Sequence, residues 1–271
     1  LFSIVEFVDQ FALAPYYLFR DEHVQTDDTG RIVGYKNLNR ISEKLKDVMI
    51  RRRKKDVKLQ MPARTDKNIF VPMTKEQVDI HEGYKGQLAK LIQRWKVMHF
   101  LSEQDRRKLL TILNKMRMVC DSTFILDQKT RYDTKIAELM CILDALLSTD
   151  EKVVVFSQWE RMTRLVAKEL QKRDVKYSYL FGGIPSAKRK DLVNDFTDNP
   201  DVRVFLSTDA GSTGLNLQAA STIINLDLPW NPAVLEQRVA RIYRLGQQNS
   251  VQVLNLIAPE SIEENMIGKL K

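Results

Sequence analysis

The chain has 271 residues, of which 44% are hydrophobic and 29% charged, and a formal net charge of +8. That balance supports a normal packed core under a charged surface, with room for about two modules. No apolar run approaches the roughly 20 residues that cross a bilayer. Two cysteines are too few for a disulfide framework. His23, His81 and His99 stand at no metal-ligand spacing, so no metal site is expected. The positive balance suits a polyanionic partner without identifying one.

The chain opens on LFSIVE, with no initiator methionine, basic leader or cleavage site, and reads as starting inside a larger protein. Residues 1–20 read as a helix and a following loop, turned at Pro15. Residues 21–37, with Asp27, Asp28, Thr29, Gly30 and Gly34, read as an exposed excursion with turn chemistry. A helix is expected from about Leu38, with Ile41, Leu45, Val48 and Met49 at helical spacing. The cations at 51–55, taken alone, read as a solvated linker. Pro62 restarts the chain, and residues 68–72 form a short strand candidate.

From Lys75 to about Cys120 the pattern is helical throughout, predicting a pair of helices that form a protruding hairpin. Leu109, Ile112, Leu113, Met116 and Val119 line one face. Trp95 and Met98 are expected in the core. Cys120 and Cys141 fall in helix-like patterns and are expected to be buried, reduced thiols inside a cell.

The character changes near Asp133. An amphipathic helix over 134–148 precedes a continuous β-branched run at 152–156, typical of a buried parallel strand. Helices at 160–173, 186–197, 213–219 and 232–244 then alternate with strands at 177–180, 202–206, 222–226 and 251–256. This alternation predicts an α/β fold with a doubly wound parallel sheet. Ligands of such sheets bind at the carboxyl ends of the strands, and the unusual sequences of this chain sit there.

Ser157 and Gln158 follow the first strand, where they can hydrogen-bond a phosphate; Ser157 can equally cap the next helix. Gly182 and Gly183 permit a close backbone approach or a tight turn. Residues 207–217, reading STDAGSTGLNL, are rich in hydroxyls and glycine, and such loops bind phosphate oxygens. They lack the Gly-Lys-Ser/Thr ending of a P-loop, so a nucleic-acid backbone fits better than a nucleotide. In residues 237–247, QRVARIYRLGQ, helical spacing places Gln237, Arg241 and Arg244 on one face. Two guanidiniums and an amide suit a triphosphate, because arginine stays charged and forks onto phosphate oxygens.

Read in order, these segments resemble motifs of the superfamily-two helicases, and more narrowly of the SWI/SNF-like ATPases. KVVVFSQ at 152–158 resembles motif IV, and 207–217 resembles motif V. NLDLPWNP at 225–232 is similar to motif Va, and 237–247 is similar to motif VI, with the Trp-Asn-Pro and terminal Arg-Leu-Gly-Gln the most specific parts. Upstream, LFSIVEF at 1–7 is similar to the helix after motif III. MIRRRKKDV at 49–57 is similar to the basic inter-lobe segment, and MRMVCD at 116–121 to the end of the second helical protrusion.

The resemblance implies a RecA-like doubly wound sheet with an inserted or preceding helical protrusion. Residues 1–60 would end the first lobe and form the linker, 61–130 would carry a strand and the protrusion, and 131–271 would be the C-terminal RecA-like lobe. Arg241 and Arg244 would be arginine fingers, and Gln237 would help sense the γ-phosphate. Gly211 and Gly214 would let the motif V loop link the DNA track to the nucleotide cleft. Ser157, Gln158, Ser207 and Thr208 would contact DNA, with Trp230 and Asn231 bracing the track. No P-loop, Asp-Glu-x-His box or motif III occurs here. ATP and Mg²⁺ would therefore be held mainly by an N-terminal ATP-binding lobe, and this chain alone is expected not to hydrolyse ATP.

The implied function is that of an ATP-dependent double-stranded DNA translocase that remodels protein–DNA complexes. Its partners would be duplex DNA, the first lobe and a DNA-bound protein such as RNA polymerase, with no membrane. Its place would be intracellular, cytoplasmic or nucleoid if bacterial. The alternatives are a non-catalytic RecA-like scaffold that binds DNA or protein, disfavoured by the two arginines and Gln237, and an RNA helicase, disfavoured by Gln247 and Trp-Asn-Pro. Three positions depart from the family pattern. Ala240 stands where many eukaryotic members carry Asp, Asp209 where many carry Lys or Arg, and Arg238 where Ala is frequent. These departures resemble bacterial members more than nucleosome remodellers.

Overall fold

The computed structural model describes residues 1–50, 61–209 and 214–270. The cations at 51–55 and Gly211 lie outside the described residues. The chain divides into two compact units, Leu1–Gln60 and Met61–Lys271.

The first unit contains α1 (Phe2–Val8), α2 (Tyr16–His23), β1 (Val24–Thr26), β2 (Ile32–Tyr35) and α3 (Leu38–Lys44). Pro15 does not end the helical region; it stands at the N-cap of α2, where its fixed φ and missing N–H cost nothing. The expected excursion is a hairpin, with β1 and β2 antiparallel. Its turn is built by the Asp27 carboxylate, which accepts from the N–H groups of Thr29 (3.0 Å) and Arg31 (2.9 Å). Val5, Leu13, Ile41 and Leu45 form a small core. Val48 and Met49 lie beyond the end of α3 and are exposed.

The second unit is a six-stranded sheet of β3 (Arg64–Phe70), β4 (Val153–Ser157), β5 (Tyr177–Leu180), β6 (Val204–Thr208), β7 (Thr222–Asn225) and β8 (Val251–Ile257). Their spatial order is β3, β8, β7, β4, β6, β5, and every neighbouring pair is parallel. The expected strand at 68–72 is longer, because it pairs with β8 over seven residues. Side chains alternate across the sheet. Val153 and Val155 join α7 (Lys135–Leu147) and α8 (Glu160–Lys172) in one core. Val154 and Phe156 join α9 (Ser186–Asp198) and α10 (Pro232–Val239) in the other. Burial on both faces explains why the β4 run is apolar without alternation.

The protrusion consists of α4 (Lys75–Met98) and α5 (Glu103–Asp121), followed by the short α6 (Phe124–Asp127). A capping box of Thr74 and Gln77 starts α4, and Ser102 caps α5 by accepting the Asp105 N–H (3.1 Å). Leu91, Ile112, Met116 and Cys120 pack between them. Trp95 and Met98, expected in the core, are 48% and 67% exposed. They lie past Leu91, where α4 runs on toward the hairpin tip and has outreached its packing. Cys120 is buried as expected, and burial pushes its thiol up; Cys141 is exposed on α7.

Lys135, fully buried at the start of α7, joins the protrusion to the sheet. Its ammonium donates to Asp121 (2.7 Å), to the Leu226 carbonyl (2.7 Å) and to Glu263 (2.8 Å) on α11 (Ile262–Leu270). Burial alone would lower its pKa, but Asp121 and Glu263 outweigh that and raise it.

Candidate functional site

Because all six strands run the same way, their carboxyl ends open along one edge. β4, β6 and β7 end there side by side, with Phe156 in register with both Ser207 and Asn225. A single buried guanidinium gathers the loops that leave them. Arg238, in the last turn of α10, donates from Nε and Nη2 to the two carboxylate oxygens of Asp209 (2.6 and 2.8 Å). Its Nη1 donates to the Asn225 side chain (3.2 Å) and the Asp227 carbonyl (2.8 Å), and Nη2 also reaches the Asp227 carboxylate (3.1 Å). All five N–H donors of the side chain are used.

Asp227 extends the network to the loop after β4. Its carboxylate accepts from the Ser157 hydroxyl and from the Gln158 N–H (2.9 Å). Burial alone would raise this carboxyl, but Arg238, the Ser157 hydroxyl and Arg117 outweigh it and hold the group below the ordinary carboxylate range. Burial likewise opposes the charge of Arg238, and Asp227 and Asp209 overcome it. Two of the sequence departures, Asp209 and Arg238, are thus halves of one ion pair.

The hydroxyls expected to face DNA turn inward instead. Ser157 is fully buried, bonded to Asp227, and accepts the Trp159 N–H (3.1 Å). Ser207 is also fully buried and donates to the Thr208 carbonyl (3.1 Å), and Thr208 is buried beside it. They end interior strands, whose side chains enter the helix layers on either face. Gln158 is the exposed residue of this stretch. It lines a cleft of about 550 Å³ with Gln128, Trp159, Arg161 and Arg164.

Sequence reasoning missed Arg117, an arginine within the apolar face of α5. It is fully buried, and Nη2 donates to the Gln158 side chain (2.9 Å) and to the Leu228 carbonyl (2.6 Å). Its guanidinium lies 5.6 Å from the Trp159 ring centroid and 5.4 Å from that of Trp230. Trp230 keeps 44% exposure. Asn231 caps α10 by accepting the Ala233 N–H (2.9 Å), and Pro232 occupies the first turn, where its missing N–H is no loss. Arg117 therefore joins the protrusion to the stretches resembling motifs IV and Va.

The expected helix at 232–244 stops at Val239, and turns occupy 240–246. There the Arg241 N–H donates to the Arg238 carbonyl and that of Ile242 to the Val239 carbonyl, three residues back, a tighter winding that keeps residues three apart together. Arg241 and Arg244 stay close enough to interact: burial first, and then the Arg244 charge, lower the pKa of Arg241. Gln237 is exposed on the preceding helix, and no bond among the described residues joins it to either arginine. Arg241 has no ion-pair partner among the described residues, and its Nε is buried without a hydrogen-bond partner. Gln247 is buried, and its amide donates to the carbonyls of Gln218 (3.2 Å), Ala220 (2.9 Å) and Ile242 (3.2 Å), which ties the turn to the segment after Gly214. That segment, 214–219, is irregular where a short helix was expected, and exposed Gly214 has φ +78°.

Among the described residues, no group of three or more His, Cys, Asp or Glu could hold a metal ion, and no helix is long and apolar enough to cross a membrane.

The helicase conserved C-terminal domain family matches residues 134–246, and the SNF2-related domain family matches residues 1–125. The chain is 29% identical to the mouse SWI/SNF-related matrix-associated actin-dependent regulator of chromatin subfamily A member 1, over 96% of this chain and 26% of the relative. It is 26% identical to the uncharacterized ATP-dependent helicase YqhH of Bacillus subtilis, over 95% of this chain and 48% of the relative. The chain thus spans between a quarter and a half of these relatives, one eukaryotic and one bacterial. Among solved structures it is similar to the Sulfolobus solfataricus SWI2/SNF2 ATPase core in complex with double-stranded DNA, with a TM-score of 0.64 and 24% identity, over 98% of this chain and 56% of the other. It also resembles the C-terminal part of the Fun30 ATPase domain, with a TM-score of 0.66 and 18% identity, over 78% of this chain and 90% of the other. With the parallel sheet and its motif-bearing edge, these matches show that the chain belongs to the SWI/SNF-like superfamily-two ATPases and contains their C-terminal RecA-like lobe.

Proposed function

We propose that this chain serves as the second lobe of an ATP-dependent translocase on double-stranded DNA, which remodels protein–DNA complexes. The observation that carries this reading is the state of the turn at 240–246. Two guanidiniums lie within reach of each other's charge, and the buried Nε of Arg241 has no acceptor among the described residues. A triphosphate delivered by a first lobe would relieve both costs, which is the behaviour expected of arginine fingers. The described residues have no acidic cluster for Mg²⁺, so in this reading the first lobe holds both the metal and most of the nucleotide. ATP supplies the bond whose hydrolysis drives movement. Arg241 and Arg244 stabilise charge on the transferred phosphoryl group, and exposed Gln237, four residues before Arg241, senses it.

The DNA track is assigned to exposed Gln158, Trp230 and Asn231, with Gly211 and Gly214 in the motif V loop. Ser157, Ser207 and Thr208 serve it from beneath, as buried supports of the loops. The likeness to a core bound to double-stranded DNA supports duplex DNA as the partner.

The test is ATP turnover by the full-length protein with and without duplex DNA, compared with Arg244→Ala. Duplex should accelerate the wild type, and the substitution should lower the accelerated rate by roughly 10³-fold or more. The isolated chain should show no turnover. Equal, DNA-independent rates in wild type and variant would end the translocase reading.

A further inference from the structure

Resting on that reading, a second feature concerns how Arg241 is set. Its N–H donates to the Arg238 carbonyl (3.0 Å), and its own carbonyl accepts the Leu217 N–H (3.0 Å). Arg238 is in turn gripped by Asp209 through two parallel bonds of 2.6 and 2.8 Å. Asp209 and Leu217 both belong to the stretch resembling motif V. Both peptide groups flanking the Cα of Arg241 are therefore tied to that stretch, one directly and one through Arg238.

The geometry leaves little slack. Every donor of Arg238 is occupied, so its side chain cannot turn without breaking several bonds in a low-dielectric site. Of its three side-chain partners, Asn225 and Asp227 are fully buried, whereas the Asp209 side chain keeps 27% exposure. Asp209 is thus the outward end of the network. A carboxylate beside a phosphate-binding loop would repel a phosphate, and Arg238 offsets that charge at close range.

We propose that the ion pair of Asp209 and Arg238 is a positioning element that makes duplex binding at the motif V loop and the setting of Arg241 a single event. A phosphate that loads Asp209 loads the guanidinium it grips, and because that side chain has no free rotation the load reaches the backbone carbonyl that holds the Arg241 N–H. Neither residue needs to touch ATP.

The experiment measures ATP turnover by the full-length protein across duplex concentrations for wild type, Asp209→Ala and Asp209→Asn, with thermal midpoints alongside. Asp209→Ala should lower the DNA-saturated rate about tenfold or more while shifting the half-saturating duplex concentration less than about threefold. Asp209→Asn, which retains an oxygen for Nε, should fall between. A rate in Asp209→Ala equal to wild type overturns the proposal, and so does a rate loss matched by an equal rise in half-saturating duplex, which would mean only a lost DNA contact. If Asp209→Ala does not fold, an unchanged rate in Asp209→Asn overturns it. A wild type that duplex does not accelerate defeats the translocase reading itself, whatever Asp209 does.

Discussion

Arg238 and Arg241 stand three residues apart and meet opposite treatment. The first is buried with five hydrogen bonds and two carboxylates; the second is half-buried beside another arginine, and its Nε has no partner among the described residues. A buried charge that is fully satisfied belongs to the scaffold, because moving it costs the bonds that hold it. A partly desolvated charge left short of partners is a cost the fold carries, and such costs concentrate where a ligand completes them. In the proposed function the two arginines of one motif thus separate support from reaction.

The contrast breaks most visibly at the supporting arginine. Arg238→Leu strands Asp227 in a buried site and should cost about 3–5 kcal/mol, read as a lower denaturation midpoint of the isolated chain; a loss near zero would mean that the network holds nothing together. Acid should probe the same network next. The Asp227 carboxyl is held below its ordinary value of 3.8, so its contribution is present above about pH 4 and is lost as pH falls through the folded value. Unfolding curves of Asp227→Asn should show reduced stability at neutral pH and a shallower decline in acid; parallel curves for the two proteins would remove Asp227 from the acid response. The smallest effect belongs to the other arginine. Arg241→Leu should change stability by less than about 1 kcal/mol, although the same substitution in the full-length protein should abolish most DNA-stimulated turnover. A large stability loss there would erase the distinction.

Much of the sheet was legible because parallel strands buried on both faces advertise themselves as short β-branched runs, as at 153–157. The helix boundaries near the site were not, because the tightening at Ala240 follows from tertiary bonds to Leu217, Gln218 and Ala220, which periodicity does not register. The motif strings placed the candidate residues at the carboxyl edge of the sheet, where Ser157, Asp209, Asp227 and Arg238 meet. They did not reveal that Ser157 and Ser207 face inward, since a hydroxyl at a strand end reads alike whether it meets solvent or Asp227. Arg117 escaped for a related reason: its partners lie 41 and 111 residues away, and nothing local marks an arginine that is folded beneath two tryptophans. Trp95 and Met98 erred the other way, because helical spacing says which face is apolar but not where the neighbouring element ends.

The pairing of Asp209 with Arg238 also bears on how such a lobe can change over time. A lobe with Arg238 alone would hold a buried cation with one fewer carboxylate to answer it, and one with Asp209 alone would leave that carboxylate without its guanidinium. Each single-residue state is poorer than the pair, so a change at one position favours a matching change at the other. Anyone transplanting motif VI between relatives must therefore carry position 209 with it.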